Sequence, residues 1–201
     1  PPPPPSLANA DSIRPGRTLW AWWANRDEKW NARYEDGDRY IDGAASLGFE
    51  YVLWDHGTNN WVQQGHDIDA LLQHARDKRI GVWLAVRWSS NETENQRTDF
   101  LSWVDRKNAK LGVRTIVGLK IESLDSEARI NTRWTEEVLS EAAAHQLMVN
   151  LHCTTKPTGE ARTWPNEMTS EAVRGLEYHL WGDYLPPSHN AALPFTRLLA
   201  G

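Results

Sequence analysis

The amino-acid sequence predicts an α/β fold, an incomplete (β/α)8 barrel with about six strand–helix units. Two observations carry this prediction: short apolar runs alternate with amphipathic helical patterns, and an ionisable residue follows most runs at steps of 25 to 35 residues. Such alternation predicts parallel strands joined by right-handed crossovers. A doubly wound sheet has the same alternation, but its glycine-rich phosphate loop is absent, which favours the barrel. A closed barrel takes about 250 residues, so 201 residues predict that the last units are missing.

The predicted strands are short runs rich in Val, Ile, Leu and Trp, bounded by glycine or polar residues, as strands buried on both faces are. They cover 18–23, 51–54, 81–86, 115–121 and 147–151, with a weaker sixth run near 175–176. Amphipathic patterns between them predict four helices. These are a helix at about 38–47, one capped by Asp67, one opened by Thr98 and closed by Gly112, and one marked by Val138, Leu139, Ala142 and Ala143.

Ionisable residues are expected at the carboxyl ends of five predicted strands, which in a barrel converge on one opening. They are Asp55, Arg87, Glu122, His152 and Glu177. Lys120 and Glu122 are two residues apart in one strand, so both should face that opening. A Lys–Glu pair there is either structural or keeps the carboxylate ionised, as a nucleophile needs. Glu122 and Glu177 together suit a glycosidic bond held between two carboxyl groups.

Composition excludes several other classes of protein. Lys and Arg number 22 against 27 Asp and Glu, without a basic block, so nucleic acid is not an expected partner. The longest apolar stretches are about six residues, against the roughly 20 that a bilayer requires, so no membrane span is expected. The 12 Trp outnumber Tyr and Phe together, and indole rings suit either sugar faces or a core. Residues 1–12, which begin with five prolines, are predicted to be a linker or remnant, and 13–201 the barrel domain.

Several ordered motifs resemble the catalytic domain of glycoside hydrolase family 97. They are RPGRTLWAWW at 14–23, MVNLH at 148–152 followed by KPTG at 156–159, RTWPN at 162–166, RGLE at 174–177 and LPFTRLLAG at 193–201. The resemblance covers about 13–201 and implies an α-glucosidase or α-galactosidase that acts on a glycoside or oligosaccharide. It also implies flanking β-domains in the full-length parent and a periplasmic or extracellular location for that parent.

The resemblance assigns roles to particular residues. Glu177 matches the general acid, or acid/base, of the family's G-x-E triplet. Lys-Ile-Glu at 120–122 matches Lys-Val-Asp, whose aspartate is the nucleophile of the retaining branch, so Glu122 carries one extra methylene. The inverting branch has glutamates where this sequence has Arg87 and Cys153. The sequence therefore predicts a retaining α-glycoside hydrolase of the α-galactosidase type.

The resemblance also implies substrate and metal contacts. The expected substrate-binding residues are Asp55, Trp22, Trp54, Lys120, His152 and Arg174. Asp55 would accept hydrogen bonds from sugar hydroxyls, with Trp54 or Trp22 as a stacking face. Family members hold a calcium ion near the acid, and Glu171 and Glu177 are the candidate ligands because calcium takes carboxylate oxygens readily.

Three alternatives remain open on the sequence. The first is a carbohydrate-binding pseudoenzyme or inactive fragment, favoured by Glu122 in place of aspartate, by Arg87 and Cys153, and by an open barrel. The second is an inverting α-glucosidase of the same family. The third is that exposed strand edges pair with another copy of the chain.

Overall fold

The computed structural model describes residues 10–22, 33–55 and 66–197. Within these residues six strands form one parallel sheet in chain order. They are β1 Thr18–Trp20, β2 Tyr51–Trp54, β3 Gly81–Arg87, β4 Ile116–Glu122, β5 Met148–Leu151 and β6 Glu167–Ser170. The order contains no reversal, which a doubly wound sheet would require, so that alternative is wrong for this sheet.

Helices connect successive strands. The α-helices are α1 Gly37–Ser46, α2 Ile68–Lys78, α3 Glu94–Leu111, α4 Arg129–Ala144, α5 Glu160–Thr163 and α6 Pro187–Thr196. Short 3-10 helices cover Ala10–Ser12, Tyr34–Asp36, Trp88–Ser90 and Leu176–Trp181. In the described residues, no helix is long and apolar enough to span a membrane.

The helix boundaries follow from local capping. Asp67 caps α2 as predicted, because its side chain accepts a hydrogen bond from the backbone N–H of Asp69. The expectation that Thr98 opens α3 is wrong. That helix begins after Thr93, whose hydroxyl and the Gln96 side chain form a reciprocal capping box that satisfies two backbone N–H groups.

The two faces of the sheet have different environments. Outward-facing residues such as Val52, Leu84 and Ile121 pack under the helices in the main core. The other face carries a smaller cluster of Tyr51, Leu53, Trp83 and Met148. This alternation is the period-two pattern of a strand, and it places Lys120 and Glu122 on the second face as well.

The sheet is curled toward that second face, as a half-barrel. In a flat sheet β1 and β5 would lie about 19 Å apart, at about 4.8 Å per strand. The ring centroids of Trp20 in β1 and His152, directly after β5, are only 5.9 Å apart. Curvature therefore brings the carboxyl ends of distant strands together at one concave opening.

The prediction of the sixth strand is wrong. No strand of the described residues lies at 175–176; β6 is Glu167–Ser170, and Leu176 begins a 3-10 helix. Glu171 therefore occupies the position directly after β6, and Glu177 lies within the 3-10 helix rather than at a strand end. Residues 1–9 of the predicted linker, Trp23 and the motif residues 198–201 lie outside the described residues.

Candidate active site

A cleft of about 410 Å³ opens at the carboxyl ends of the strands. This volume lies in the range typical of small-molecule sites, roughly 300–1000 Å³. Its walls include eight residues from the ends of β1, β4, β5 and β6 and from the segment that follows β6. They are Trp20, Trp22, Lys120, Glu122, His152, Glu171, Arg174 and Glu177. The two residues predicted from the sequence to be catalytic, Glu122 and Glu177, therefore line the same cleft.

One wall of the cleft is a buried charge cluster around Lys120. The Lys120 ammonium is hydrogen-bonded to Oε1 of Glu122 and lies 3.6 Å from Oδ2 of Asp55. The side chains of Lys120 and Asp55 are 3% and 1% exposed. The sequence prediction that Lys120 and Glu122 face the same side is confirmed. The Lys120 ammonium therefore contacts two carboxyl groups, one from β4 and one from the residue after β2.

An indole supports this cluster from the end of β1. The Lys120 ammonium lies 4.2 Å from the centroid of the Trp20 ring, a cation–π distance. The Trp20 indole N–H donates a 2.7 Å hydrogen bond to Oδ2 of Asp55. The Trp20 side chain therefore contacts two members of the cluster, Lys120 with its ring face and Asp55 with its N–H.

A second indole, that of Trp22, contacts Glu177. The N–H of the Trp22 indole donates a 2.6 Å hydrogen bond to Oε1 of Glu177. The Trp20 and Trp22 rings are stacked, with centroids 6.2 Å apart and planes at 10°. Trp22 therefore contacts the proposed acid directly, and the structure assigns it a polar contact in addition to any stacking face.

Glu171, His152 and Cys153 form a third group on the cleft wall. His152 Nδ1 lies 3.1 Å from Oε2 of Glu171, and the backbone N–H of Cys153 donates to the same oxygen at 3.3 Å. Burial is the largest single influence on Glu171 and acts to raise its pKa. The hydrogen bond and charge of His152, the N–H of Cys153 and the charge of Lys120 together outweigh burial, so the pKa lies below its usual range. Burial raises the pKa of the Cys153 thiol to about 11, with Glu171 adding to the effect.

The described residues do not by themselves fit a calcium ion. Glu171 and Glu177 both line the cleft, but each already accepts a hydrogen bond from a neighbouring N–H. Across the described ranges there is no group of three or more His, Cys, Asp and Glu that could hold a metal. Calcium takes six to eight oxygens, so two carboxylates make an incomplete site.

The structure places two predicted substrate contacts elsewhere. Trp54 is 3% exposed and packs in the main core under the helices, so the expectation that it stacks on a sugar is corrected. Asp55 is 1% exposed and its carboxylate accepts from Trp20, so it supports Lys120 from below instead of lining the cleft. Arg174 does line the cleft, with its guanidinium paired to Asp183 and 4.3 Å from the Tyr178 ring centroid.

Sequence reasoning missed Trp20 as a site residue and Glu171 as the residue that pairs with His152. A signal for Trp20 was present, because it lies at the end of a predicted strand, two residues before Trp22. For Glu171 the signal was hidden by the misplaced sixth strand.

Comparison with known proteins agrees with this arrangement. The family model described as glycoside hydrolase 97 matches residues 19–173. A probable retaining alpha-galactosidase from Streptomyces bingchenggensis is 32% identical over 212 residues, which cover 97% of this chain and 30% of that protein. The chain thus spans about a third of the length of this curated relative.

Two solved structures are also similar. A beta-arabinopyranosidase is 31% identical with a TM-score of 0.69, covering 84% of this chain and 27% of that one. A family 97 enzyme from Pseudoalteromonas sp. strain K8, in complex with acarbose, is 25% identical with a TM-score of 0.75, covering 98% and 36%. The family model alone matches more than half of the chain, and sequence and structural relatives agree with it. The chain belongs to glycoside hydrolase family 97.

Proposed function

We propose that this chain is the catalytic part of a retaining α-glycoside hydrolase of the α-galactosidase type, within a (β/α)8 barrel. The observation that carries the proposal is one cleft lined by both Glu122 and Glu177, each held by separate neighbours. Paired carboxyl groups in one cleft are what glycoside hydrolysis requires. The substrate class is supported by the relative that is named a probable retaining alpha-galactosidase.

The proposed reaction has two steps. In the first, an Oε atom of Glu122 bonds to the anomeric carbon while the glycosidic C–O bond breaks, and Glu177 gives its proton to the departing oxygen. In the second, Glu177 takes a proton from water, which attacks the anomeric carbon and releases the sugar from Glu122. Two displacements restore the original configuration.

The neighbours of each carboxylate suit its role. The Lys120 ammonium stabilises the negative charge of Glu122 before attack, and Asp55 and Trp20 hold that ammonium in place. His152 and Arg174 line the same cleft and supply donors to sugar hydroxyls. Because His152 engages Glu171 through Nδ1, its Nε2 is the ring nitrogen available to a ligand.

Proton NMR of the first product tests this function. The polypeptide that contains this sequence should release α-galactose from an aryl α-galactoside before mutarotation, and Glu122→Gln and Glu177→Gln should each lose most activity. Initial release of β-galactose would overturn the nucleophile assignment and favour the inverting alternative.

A carbohydrate-binding pseudoenzyme is the second candidate, and the specific observation in its favour is Glu122 in place of the aspartate of the matched motif. The longer side chain moves the carboxylate, and a displacement of about 1 Å can cost about a hundredfold in rate. Calorimetric binding of galactose without turnover of any aryl glycoside would establish this alternative.

A calcium ion at Glu171 and Glu177 is a further proposal, which needs oxygen ligands beyond the described residues. No step above runs through it. If calcium binds there, EGTA should lower the melting temperature of the natural polypeptide, and Glu171→Gln should remove that response. An unchanged melting temperature would leave Glu171 as a partner of His152 only.

A further inference from the structure

Two tryptophans at the end of β1 contact both halves of the proposed catalytic pair. Trp20 is the last residue of β1, and Trp22 lies in the turn that follows it. Their indoles are stacked with planes at 10°. The N–H of Trp20 points to Asp55 and the N–H of Trp22 points to Glu177, at 2.7 and 2.6 Å.

These hydrogen bonds are of the strong kind. The two donor–acceptor distances, 2.7 and 2.6 Å, are short for an N–H donor and a carboxyl oxygen acceptor. An indole has only two side-chain torsions and one donor, so a bond from it fixes the acceptor with little loss of side-chain entropy. Stacking restrains each ring further. A carboxylate held in this way has a defined direction in the cleft.

The two indoles act on different halves of the site. Trp22 contacts Glu177, the proposed acid/base. Trp20 contacts Asp55 through its N–H and Lys120 through its ring face, and Lys120 contacts Glu122. A continuous set of contacts therefore joins Glu122 to Glu177 through the two stacked indoles.

We propose that Trp20 and Trp22 are positioning residues, with Trp22 orienting the acid/base Glu177 and Trp20 orienting the nucleophile Glu122 through Asp55 and Lys120. The inference rests on the proposed function and adds to it a separate positioning role for each of the two stacked tryptophans. It also adds a direct action on the acid to the substrate contact expected of Trp22.

Leaving-group dependence separates the two roles. Protonation by Glu177 matters when the departing oxygen is strongly basic, as in methyl α-galactoside, and hardly matters for α-galactosyl fluoride, whose leaving group needs little help. The nucleophile is needed equally for both substrates. A variant that misplaces Glu177 should therefore lose activity mainly on the methyl glycoside. A variant that misplaces Glu122 should lose activity equally on both substrates.

The experiment compares Trp22→Phe, Trp20→Phe and, as a matched control, Trp103→Phe in the natural polypeptide that contains this sequence. Phe keeps a stacking ring and removes the N–H. Trp103 lies on α3, stacked on Phe100 outside the cleft. For Trp22→Phe we expect kcat/KM to fall about 10- to 100-fold on the methyl glycoside and less than about threefold on the fluoride.

The other variants complete the pattern. Trp20→Phe should lower kcat/KM by a similar factor, about tenfold, on both substrates, and Trp103→Phe should change neither by more than about twofold. Sodium azide should raise kcat of Trp22→Phe on the fluoride, because azide attacks the glycosyl-enzyme without a base. It should not raise kcat of Trp20→Phe.

A spectroscopic measurement on the native tryptophans supports the test if a variant folds poorly. In a ¹⁵N–¹H spectrum, Glu177→Gln should shift the indole signal of Trp22 and leave that of Trp103 unchanged. Equal losses on both substrates for Trp22→Phe, or an unmoved Trp22 signal, would overturn the inference. A wild-type polypeptide inactive on every α-galactoside would instead overturn the proposed function.

Discussion

Replacing Lys120 by methionine tests whether charge stabilises the buried cluster of Lys120, Asp55 and Glu122. Methionine keeps most of the length and removes the charge that contacts the buried carboxyl groups of Asp55 and Glu122. At 3.6 Å and an effective dielectric constant of about 20, the attraction between Lys120 and Asp55 is about 5 kcal/mol. Breaking a buried pair by removing one partner typically costs about 3–5 kcal/mol. We expect a loss of this size in the free energy of unfolding at pH 7.

Urea denaturation followed by tryptophan fluorescence measures that loss. Lys110→Met is the matched control, because Lys110 pairs with Asp69 at 2.7 Å but is 67% exposed, so its loss should stay below about 1 kcal/mol. The penalty for Lys120→Met should shrink in the double variant with Asp55→Asn, which removes a buried carboxylate as well as the ammonium. Equal losses for the two lysine variants would refute a buried, charge-dependent cluster.

Three further predictions follow from packing and burial. Gly118→Ala should lower the free energy of unfolding by about 1–3 kcal/mol, because the added Cβ would lie 2.5 Å from the Trp83 indole. Urea denaturation measures this loss. An unchanged midpoint would mean that the indole moves away without cost. Burial, helped by Glu160, raises the pKa of Glu167 to about 7, so its folded form holds a proton that the unfolded chain releases near pH 4.5. Stability should therefore fall between pH 4.5 and 7, by about 1–2 kcal/mol after allowance for partial exposure, and Glu167→Gln should lack this fall in denaturation curves. With its thiol pKa at about 11, Cys153 should react with iodoacetamide at pH 8 about a hundredfold more slowly than an unstructured cysteine peptide, and an equal rate would contradict its burial.

Strands could be predicted from the sequence where an apolar run has clear polar borders. β2 has the predicted bounds. β3 and β5 differ from prediction by one residue at one end and β4 by one residue at each end, because each is a compact apolar run with polar borders. β6 was missed because Glu167–Ser170 is polar and only partly buried, so the sequence has no apolar run at this strand. The weak run near Leu176 fitted the 30-residue repeat better and was preferred for that reason.

The same limits apply to the site. The orientation of β4 was predicted correctly from its charged residues, because burying Lys120 and Glu122 in the apolar core beneath the helices would be costly. In β2 all four residues are apolar, so the sequence leaves open which of Leu53 and Trp54 faces the concave side, and the structure buries Trp54. The start of α3 was available from the capping box at Thr93 and Gln96, which is a stronger signal than Thr98.

Covalent trapping tests the central claim most directly. The polypeptide that contains this sequence is incubated with 5-fluoro-α-galactosyl fluoride, whose first displacement outpaces the second, and the digest is read by mass spectrometry. One fluorosugar per chain, joined as an ester to the peptide at Glu122, is the result that the account predicts. A label on Glu177 or on another carboxylate would contradict it.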